Sequence, residues 1–295
     1  MRLCPWLMKT RIPYPVLALL TFLLLAGNAA AYALALRHDA APTLTVSFLD
    51  VGQGDSILVK GPTGIQVLID GGKDRSVIRA LPKVMGPLDR TIDLMVATHP
   101  DADHIGGLPD VLARYQVAHL LSSGRETDSS FVDRLEAAST GERGMARGVA
   151  RKGMRIHLGG GAYADVLHPE DNVAKLPDTN DASVVMRLVY GDTEFMLTGD
   201  APSWVEDRLV KGYGDGLRSD VLKAGHHGSK TSTGALFLGA VDPDTVVISA
   251  GKDNSYGHPS ADVLERIRDS GAAAISTIES GTIIFVSDGK TVSRK

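Results

Sequence analysis

The 295-residue chain is poor in cysteine and aromatic residues, and its charges nearly balance. Cys4 is its one cysteine, which excludes an intramolecular disulfide and a metal site built from several thiolates. Aromatic residues make up 5% of the chain, so no base-stacking surface is evident, and a net charge of -4 provides no overall attraction to nucleic acid. A hydrophobic content of 43% predicts one large domain held together by packing.

The N-terminus has the pattern of an export signal or a membrane anchor. Lys9 and Arg11 precede a nearly uninterrupted apolar stretch, residues 16–36. The alanines at 29–31 offer a cleavage site, whereas the stretch, at about 20 residues, is also long enough to span a bilayer uncleaved. Positive charge before the stretch predicts that the remainder is periplasmic or extracellular. We therefore expect a signal or anchor over 1–39 and a separate domain over 40–295.

Short alternating or apolar runs bounded by glycine predict strands, and longer amphipathic segments predict helices. Strands are expected at 43–49, 55–60, 65–69, 92–97, 117–121, 155–158, 165–168, 183–190, 194–197, 221–224, 246–250, 274–278 and 282–286. Helices are expected at 76–85, 107–114, 202–211 and 261–270. Two β-rich halves, each bordered by helices, indicate an α/β fold of the four-layer αββα type.

A basic segment interrupts this order between Glu142 and Arg155. It contains Arg143, Arg147, Arg151 and Lys152 among glycines, which predicts a mobile loop or frayed helix. Arginine and lysine side chains neutralise nucleic-acid backbones, but they also line ordinary solvated loops. The segment therefore leaves phosphate contact and a solvated surface as equal alternatives.

The segment THPDADHIGG, residues 98–107, places four potential metal ligands within six positions. They are His99, Asp101, Asp103 and His104. The segment follows an apolar strand and precedes a helix, and loops at this position carry chemistry in α/β folds. Imidazole and carboxylate without thiolate favour zinc, manganese or iron over an iron–sulfur cluster.

Three later strands also end in potential ligands. Asp200 follows one strand in LTGD, the pair His226 and His227 follows another in GHHG, and His258 follows a third in YGHP. A glycine beside each of these residues lets the backbone come close to neighbouring groups. His168 also ends a strand but lacks adjacent glycine, so packing and metal ligation are both open. The carboxyl end of a strand is the usual place for function in such sheets, so these three positions predict functional residues.

Six ordered motifs resemble a known family. The strings are TLTVSFLDVGQGDSILV, LIDGG, THPDADHIGGL, LTGDA, LKAGHHGS and ISAGKDNSYGHP. Together they are similar to the metallo-β-lactamase-fold hydrolase domain of ComEC, the DNA-uptake competence channel. The superfamily's usual motif is HxHxDH, and Asp101 takes the place of its second histidine here, as is typical of the ComEC-like branch. This exchange makes the site richer in oxygen, so manganese is as suitable as zinc.

The resemblance implies two divalent metal ions, zinc or manganese, bridged by Asp200. One would be held by His99, Asp101 and Asp200, with His168 as a further ligand. The other would be held by Asp103, His104, Asp200 and His258. The resemblance also places Asp70 behind the ligands, orienting one of them.

Substrate-facing and catalytic roles follow from the same resemblance. Asp103, His226 and His227 are the expected catalytic residues, with His226 or His227 as an additional ligand, a phosphate contact or a proton donor. Asp55, Ser56, Ser229 and Lys230 are the expected substrate contacts.

The function expected is an exported dinuclear metal-dependent hydrolase, a phosphodiesterase or DNase. Two alternatives stay open: hydrolysis of another envelope ester, lactone or phosphoester, and a non-catalytic binding protein that retains the fold. The expected partners are nucleic acid or another phosphodiester, and the membrane if the N-terminal segment is uncleaved. The sequence leaves the oligomeric state open.

Overall fold

A computed structural model of the protein describes residues 13–38, 42–86, 88–170, 172–252 and 254–295. The chain divides into two compact units, Met1–Ala41 and Pro42–Lys295. The described part of the first unit contains helix α1 (Tyr14–His38), and the expected signal residues Lys9 and Arg11 lie outside the described residues. Within the described ranges, no helix has the length and apolar character needed to cross a membrane.

The second unit contains strands that form two sheets. In chain order they are β1 (Leu44–Phe48), β2 (Ile57–Lys60), β3 (Gln66–Ile69), β4 (Thr91–Ala97), β5 (Gln116–Ser122), β6 (Ala146–Val149), β7 (Arg155–Gly159), β8 (Ala162–His168), β9 (Val185–Tyr190), β10 (Thr193–Leu197), β11 (Val221–Lys223), β12 (Thr245–Ile248), β13 (Ala273–Ser276), β14 (Ile283–Ser287) and β15 (Val292–Arg294). Its helices are α2 (Ser76–Met85), α3 (Ala102–Ile105), α4 (Leu108–Leu112), α5 (Ser130–Gly141), α6 (Ser203–Tyr213), α7 (Ala235–Val241), α8 (Ala261–Ser270) and α9 (Thr277–Ser280).

The first sheet has the order β15-β14-β1-β2-β3-β4-β5-β6, and the second has the order β13-β12-β11-β10-β9-β8-β7. The strands from β3 to β6 are parallel in the first sheet, and the strands from β10 to β13 are parallel in the second. The remaining neighbours are antiparallel. Each sheet therefore has a parallel half, and the loops after parallel strands carry the candidate ligands.

Both faces of the central strands of each sheet are buried, as the fold class expected from the sequence requires. In β4, Leu94 and Val96 pack between the sheets, whereas Met95 packs under the helices α2 to α5. In β10, Phe195 packs between the sheets and Met196 packs under the helices α6 to α8. Alternate residues of one strand therefore pack into different hydrophobic cores. The four-layer αββα sandwich is confirmed.

Several local expectations differ from the structure. The basic segment contains an edge strand, β6, that pairs in parallel with β5, and not a mobile loop or frayed helix. All four residues of β6 are exposed, so its sequence lacks the alternation of apolar and polar residues that predicts a strand. The helix expected over 107–114 is the shorter helix α4, and a further short helix, α3, precedes it. Helices α5 and α7 were not expected, because loops rich in serine and glycine surround them.

Candidate metal centre

The THPDADHIGG segment lies directly after β4, at the carboxyl edge of the first sheet. His99 and His104 are buried, whereas Asp101 and Asp103 are half-buried. The extended backbone of Asp101 precedes α3, and the turn of α3 brings His104 back beside His99 with the ring centroids 4.0 Å apart. The local backbone therefore converts neighbouring positions in sequence into a cluster of imidazoles and carboxylates.

Asp200 follows β10 of the second sheet and is almost fully buried. Its Oδ1 lies 3.3 Å from Nε2 of His104, and its Oδ2 lies 3.3 Å from Nε2 of His227. Two further Nε2 atoms lie near Oδ2, that of His226 at 3.7 Å and that of His99 at 4.0 Å. One carboxylate surrounded by four imidazole nitrogens is suited to be shared between two cations.

The histidine pair lies in a 3₁₀ turn, Gly225–Gly228, that follows β11. His226 and His227 both have left-handed backbone, with φ of 49° and 55°, which costs of order 1–3 kcal/mol for each non-glycine residue. The ring of His227 is buried, and its Nδ1 donates to the carbonyl oxygen of Ser249 at 2.9 Å. Nε2 of His227 therefore faces the cluster, while the side chain of His226 stays 30% exposed.

Asp70 is fully buried behind the first two histidines and orients both. Its carboxylate accepts hydrogen bonds from the Thr98 backbone N–H at 2.8 Å, from Thr98 Oγ1 at 2.6 Å and from His104 Nδ1 at 2.7 Å. Because the Thr98 hydroxyl donates to Asp70, its oxygen accepts from Nδ1 of His99 at 3.0 Å. Both imidazoles are thereby held with Nε2 directed into the site.

Lys223 is the functional-site residue that sequence reasoning missed. Its Nζ is fully buried and lies 2.5 Å from Asp55 Oδ2, 2.8 Å from the carbonyl oxygen of Gly199 and 3.4 Å from Asp200 Oδ1. Burial alone would lower its pKa, but the carboxylates of Asp55 and Asp200 raise the pKa above the ordinary value. A lysine within the apolar strand Val221–Lys223 is the signal that could have revealed this buried cation.

The glycine-rich turn before β2 brings Asp55 into the same cluster. Gly54 has φ of 116°, and a Cβ atom at this position would lie 1.9 Å from the carbonyl oxygen of Asp103. The Asp55 N–H donates to that same carbonyl oxygen at 3.2 Å. Only glycine permits this close approach, which joins the turn to the start of α3.

Burial and neighbouring charges set the protonation of these groups. Burial, together with the charge of His104, lowers the pKa of His99 to about 3, so the ring is neutral. Burial alone would raise the pKa of Asp200, but His227 and His104 outweigh it and hold this pKa well below its ordinary value. Burial would lower the pKa values of His104 and His227, yet the carboxylates, Asp200 foremost, raise both well above their ordinary value. The carboxylates that attract these protons would equally attract a cation.

The residues present fit a divalent metal. Asp55, His104, Asp200 and His227 each direct one potential ligand atom to within 4.8 Å of the others. Nε2 of His99 is buried without a hydrogen-bond partner among the described residues, and it carries a lone pair because Nδ1 is the donor. Nitrogen and oxygen donors with no thiolate suit zinc or manganese.

Other expected ligands lie farther out. Nε2 of His168 donates to the carbonyl oxygen of Asp181 at 2.9 Å, and its ring meets Trp204 edge-on at 6.4 Å. His258 lies at the rim, with its ring 5.5 Å from that of His226. The inner position beside Asp103 and Asp200, which the resemblance gave to His258, is taken by His227. Nε2 of His227 lies 3.4 Å from Asp103 Oδ2.

The expected substrate contacts divide into buried and exposed residues. Asp55 is buried against Lys223, and Ser56 is buried with its hydroxyl donating to the carbonyl oxygen of Asp70 at 3.1 Å. Both therefore belong to the scaffold and not to a surface open to substrate. Ser229 is also nearly buried, 3.0 Å from Thr231 Oγ1, whereas Lys230 is exposed.

Comparison with known proteins agrees with this geometry. A sequence model of the metallo-beta-lactamase superfamily matches residues 49–252. ComE operon protein 3 of Bacillus subtilis (strain 168) is 31% identical over 260 residues, covering 81% of this chain and 32% of that protein. Competence protein ComA of Neisseria gonorrhoeae is 31% identical over 251 residues, covering 84% of this chain and 33% of that protein. The chain thus spans about a third of the length of these relatives.

A solved structure shows the same fold. Igni18, a metallo hydrolase from the archaeon Ignicoccus hospitalis KIN4/I, matches with a TM-score of 0.53 at 16% identity, covering 82% of this chain and 98% of that chain. At this identity the likeness concerns the fold. Together with the family match and the ComEC-like relatives, it shows that the chain belongs to the metallo-beta-lactamase superfamily, with the fold of its metal-dependent hydrolases.

Proposed function

We propose that this protein is an exported hydrolase that uses two divalent metal ions, zinc or manganese, to cleave phosphodiester bonds in nucleic acid. The observation that carries the proposal is the convergence of four imidazole nitrogens on the buried carboxylate of Asp200. The names of the competence-protein relatives favour DNA as the substrate.

One set of ligands lies on the side of the first sheet. His99 and Asp101, with Nε2 and Oδ2 3.8 Å apart, would hold one ion together with Asp200, and His226 borders the same carboxylate oxygen. These residues include half-exposed side chains. This side of the site is therefore where a substrate oxygen would enter.

The other set is built on two buried imidazoles, those of His104 and His227. Asp103, His104 and His227 would hold the second ion with Asp200, since their ligand atoms lie between 3.2 and 3.4 Å from one another or from that carboxylate. When bound, a pair of divalent ions lowers the pKa of a coordinated water and neutralises charge on a phosphoryl oxygen.

The protein supplies orientation and proton transfer around this centre. Asp70 holds the two first-sheet imidazoles in place, and Lys223 holds Asp55 and Asp200. The partly exposed His226 is positioned to contact a phosphate or to donate a proton to the leaving oxygen.

One basic side chain of β6, that of Arg147, supports contact with a nucleic-acid backbone. Arg151 donates to the carbonyl oxygens of Ser123 and Ala150, and Lys152 pairs with Glu170, so both are engaged within the protein. Arg147 contacts only hydroxyl groups among its described partners, the nearer being Thr140 Oγ1 at 3.2 Å. Its charge is therefore available to a phosphate.

The test is cleavage of labelled single- and double-stranded DNA and of bis(p-nitrophenyl) phosphate by the full-length chain, reconstituted separately with manganese and zinc. We expect metal-dependent DNA cleavage that Asp200→Ala abolishes. Cleavage of the small diester alone would move the substrate search to envelope phosphoesters. Inactivity with every substrate and metal would favour a binding protein.

Export rests on the N-terminal pattern of Lys9 and Arg11 before an apolar stretch. Fractionation of expressing cells, followed by N-terminal sequencing, tests it. Protein outside the cytoplasm would support export, and sequencing would distinguish a cleaved signal from an anchor. Protein confined to the cytoplasm would overturn it.

A further inference from the structure

A cavity of about 160 Å³ adjoins the candidate metal centre. It lies at the carboxyl ends of β4, β5 and β6 and is covered by α5. His99 and Pro100 form part of its wall, so the cavity shares a residue with the cluster around Asp200. A molecule bound there would sit directly beside the reacting centre.

The cavity combines apolar walls with a few polar groups. Ile105, Leu120, Val132 and Leu135 contribute aliphatic surface from the sheet and from both adjoining helices. Arg125, Glu136 and Arg147 contribute two guanidinium groups and one carboxylate. Sites that bind small organic groups usually have an apolar surface with a few polar groups directed into them.

Arg125 places a guanidinium group in the wall of this cavity. Its Nη1 donates to the carbonyl oxygen of Ala174 at 2.8 Å, which anchors the group. A guanidinium held in place in this way loses little conformational freedom when its remaining donors bind an acceptor on a ligand.

We propose that this cavity binds a nucleobase of the substrate, next to the phosphodiester that is cleaved. The proposal rests on the proposed function and adds the part of the substrate that is recognised. A nucleobase has flat apolar faces that fit the aliphatic walls, and an edge of donors and acceptors that fits Arg125 and Glu136. A bare phosphate would leave the aliphatic walls without a partner, and an acyl chain would leave the charged groups unpaired.

The cavity also explains how a chain with few aromatic residues binds bases. Stacking between planar aromatic rings is the common solution for single strands, but aliphatic side chains can also cover a base face. Single-stranded DNA is the form that can insert a base, because in a duplex the base is stacked and paired. We therefore expect single strands to be preferred over duplexes.

The experiment compares two labelled oligomers of equal length, an oligothymidylate and a fully abasic strand with the same phosphodiester backbone. Binding to the full-length chain is measured by fluorescence anisotropy in the presence of a chelator, and cleavage is measured separately with manganese. Val132→Phe fills the cavity. Ala137→Phe is the matched control, since Ala137 lies on the exposed face of the same helix and does not line the cavity.

We expect Val132→Phe to weaken oligothymidylate binding roughly tenfold, the scale of losing one base contact, and to leave abasic-strand binding unchanged. Glu136→Ala, at an exposed position that does not threaten folding, should weaken oligothymidylate binding several-fold with the same selectivity. Ala137→Phe should change neither. Equal affinity of the wild type for the two strands, or equal loss on both, would overturn the proposal.

The two measurements separate this proposal from the proposed function. Cleavage that is metal-dependent but indifferent to the bases would leave the hydrolase standing and overturn the base site. A base preference in binding that Val132→Phe removes, without cleavage of any substrate, would support the base site and count against the nuclease.

Discussion

The candidate site has an inner and an outer part, and the protein holds them differently. The inner cluster, whose members are at most 2% exposed, consists of Asp55, His99, His104, Asp200, Lys223 and His227. The outer ring consists of Asp101, Asp103, His226 and His258. The side chains of Asp101, Asp103 and His226 are 37%, 23% and 30% exposed.

The inner cluster is fixed by bonds within the protein. Asp70 orients His104, the carbonyl oxygen of Ser249 orients His227, and Lys223 joins two carboxylates. The outer ring has fewer such partners; for example, Nδ1 of His258 is buried without one among the described residues. Folding therefore positions the inner ligands in advance, and the outer residues remain free to respond to metal and substrate.

The largest effect is expected at the centre of the inner cluster. Asp200→Ala removes the carboxylate that would be shared by both ions, so metal content and hydrolysis should be lost together. Metal content is measured by elemental analysis after dialysis, and activity is measured in the same preparation. Asp220→Ala, which removes a carboxylate that accepts from the Glu194 N–H outside the site, is the control. Full metal content and activity in Asp200→Ala would contradict the shared-ligand assignment.

The next effect concerns the buried cation. Lys223→Met leaves Asp55 and Asp200 buried without their ammonium partner, so we expect the free energy of unfolding in chelator to fall by about 3–5 kcal/mol, as when one partner of a buried pair is removed. Urea denaturation measures this change.

A double-mutant cycle with Asp55→Asn provides the control for Lys223. Asp55→Asn combined with Lys223→Met removes both charges, so it should recover most of the lost stability if the pair is coupled. Additive losses in the double variant would show that Lys223 acts through packing and not through its charge.

A smaller effect is expected for Asp70, which lies behind the ligands and orients two of them. Asp70→Asn replaces an acceptor of three hydrogen bonds by a group that can donate, which disturbs the orientation of both His99 and His104. Metal affinity should fall about 10–100-fold, the range for residues that orient metal ligands. Competition with a chromogenic chelator measures it, with Asp220→Asn as the matched change elsewhere. Unchanged affinity in Asp70→Asn would mean that the ligands hold their orientation without it.

The sequence predicts ligands that lie within one short segment or at a strand end, in both parts of the site. His99, Asp101, Asp103 and His104 lie within six positions, so their ligand types and spacing alone predict a metal site. Asp200 is predicted because it stands at the carboxyl end of a strand, the usual place for function in such sheets. The fold class follows from two sets of alternating strands with flanking helices.

The contribution of Lys223 could not be predicted in this way. Its pairing with Asp55 joins strand β11 of one sheet to the turn before β2 of the other, two segments far apart in sequence, and a lysine near a cation site is not expected from local chemistry. The inner position of His227 depends on left-handed backbone at 226 and 227, a conformation that is uncommon for any residue other than glycine and that the local sequence pattern does not specify. The edge strand β6 lacks an apolar face, so its strand character depends on pairing with β5.

The smallest effect is expected in the outer ring. His258 is held by its backbone N–H, which donates to Asn254 Oδ1 at 2.9 Å, and its ring stacks against the exposed Tyr256 at 5.8 Å. Because His227 occupies the inner position, His258→Ala should lower metal affinity by less than about tenfold, below the range expected for Asp70→Asn. If DNA is the substrate, as proposed, its KM should rise instead, because the exposed rim is where a substrate would enter. On the same variant, steady-state kinetics measures the KM and chelator competition measures the metal affinity. A loss of metal as complete as in Asp200→Ala would return His258 to the ligand role that the family resemblance implies.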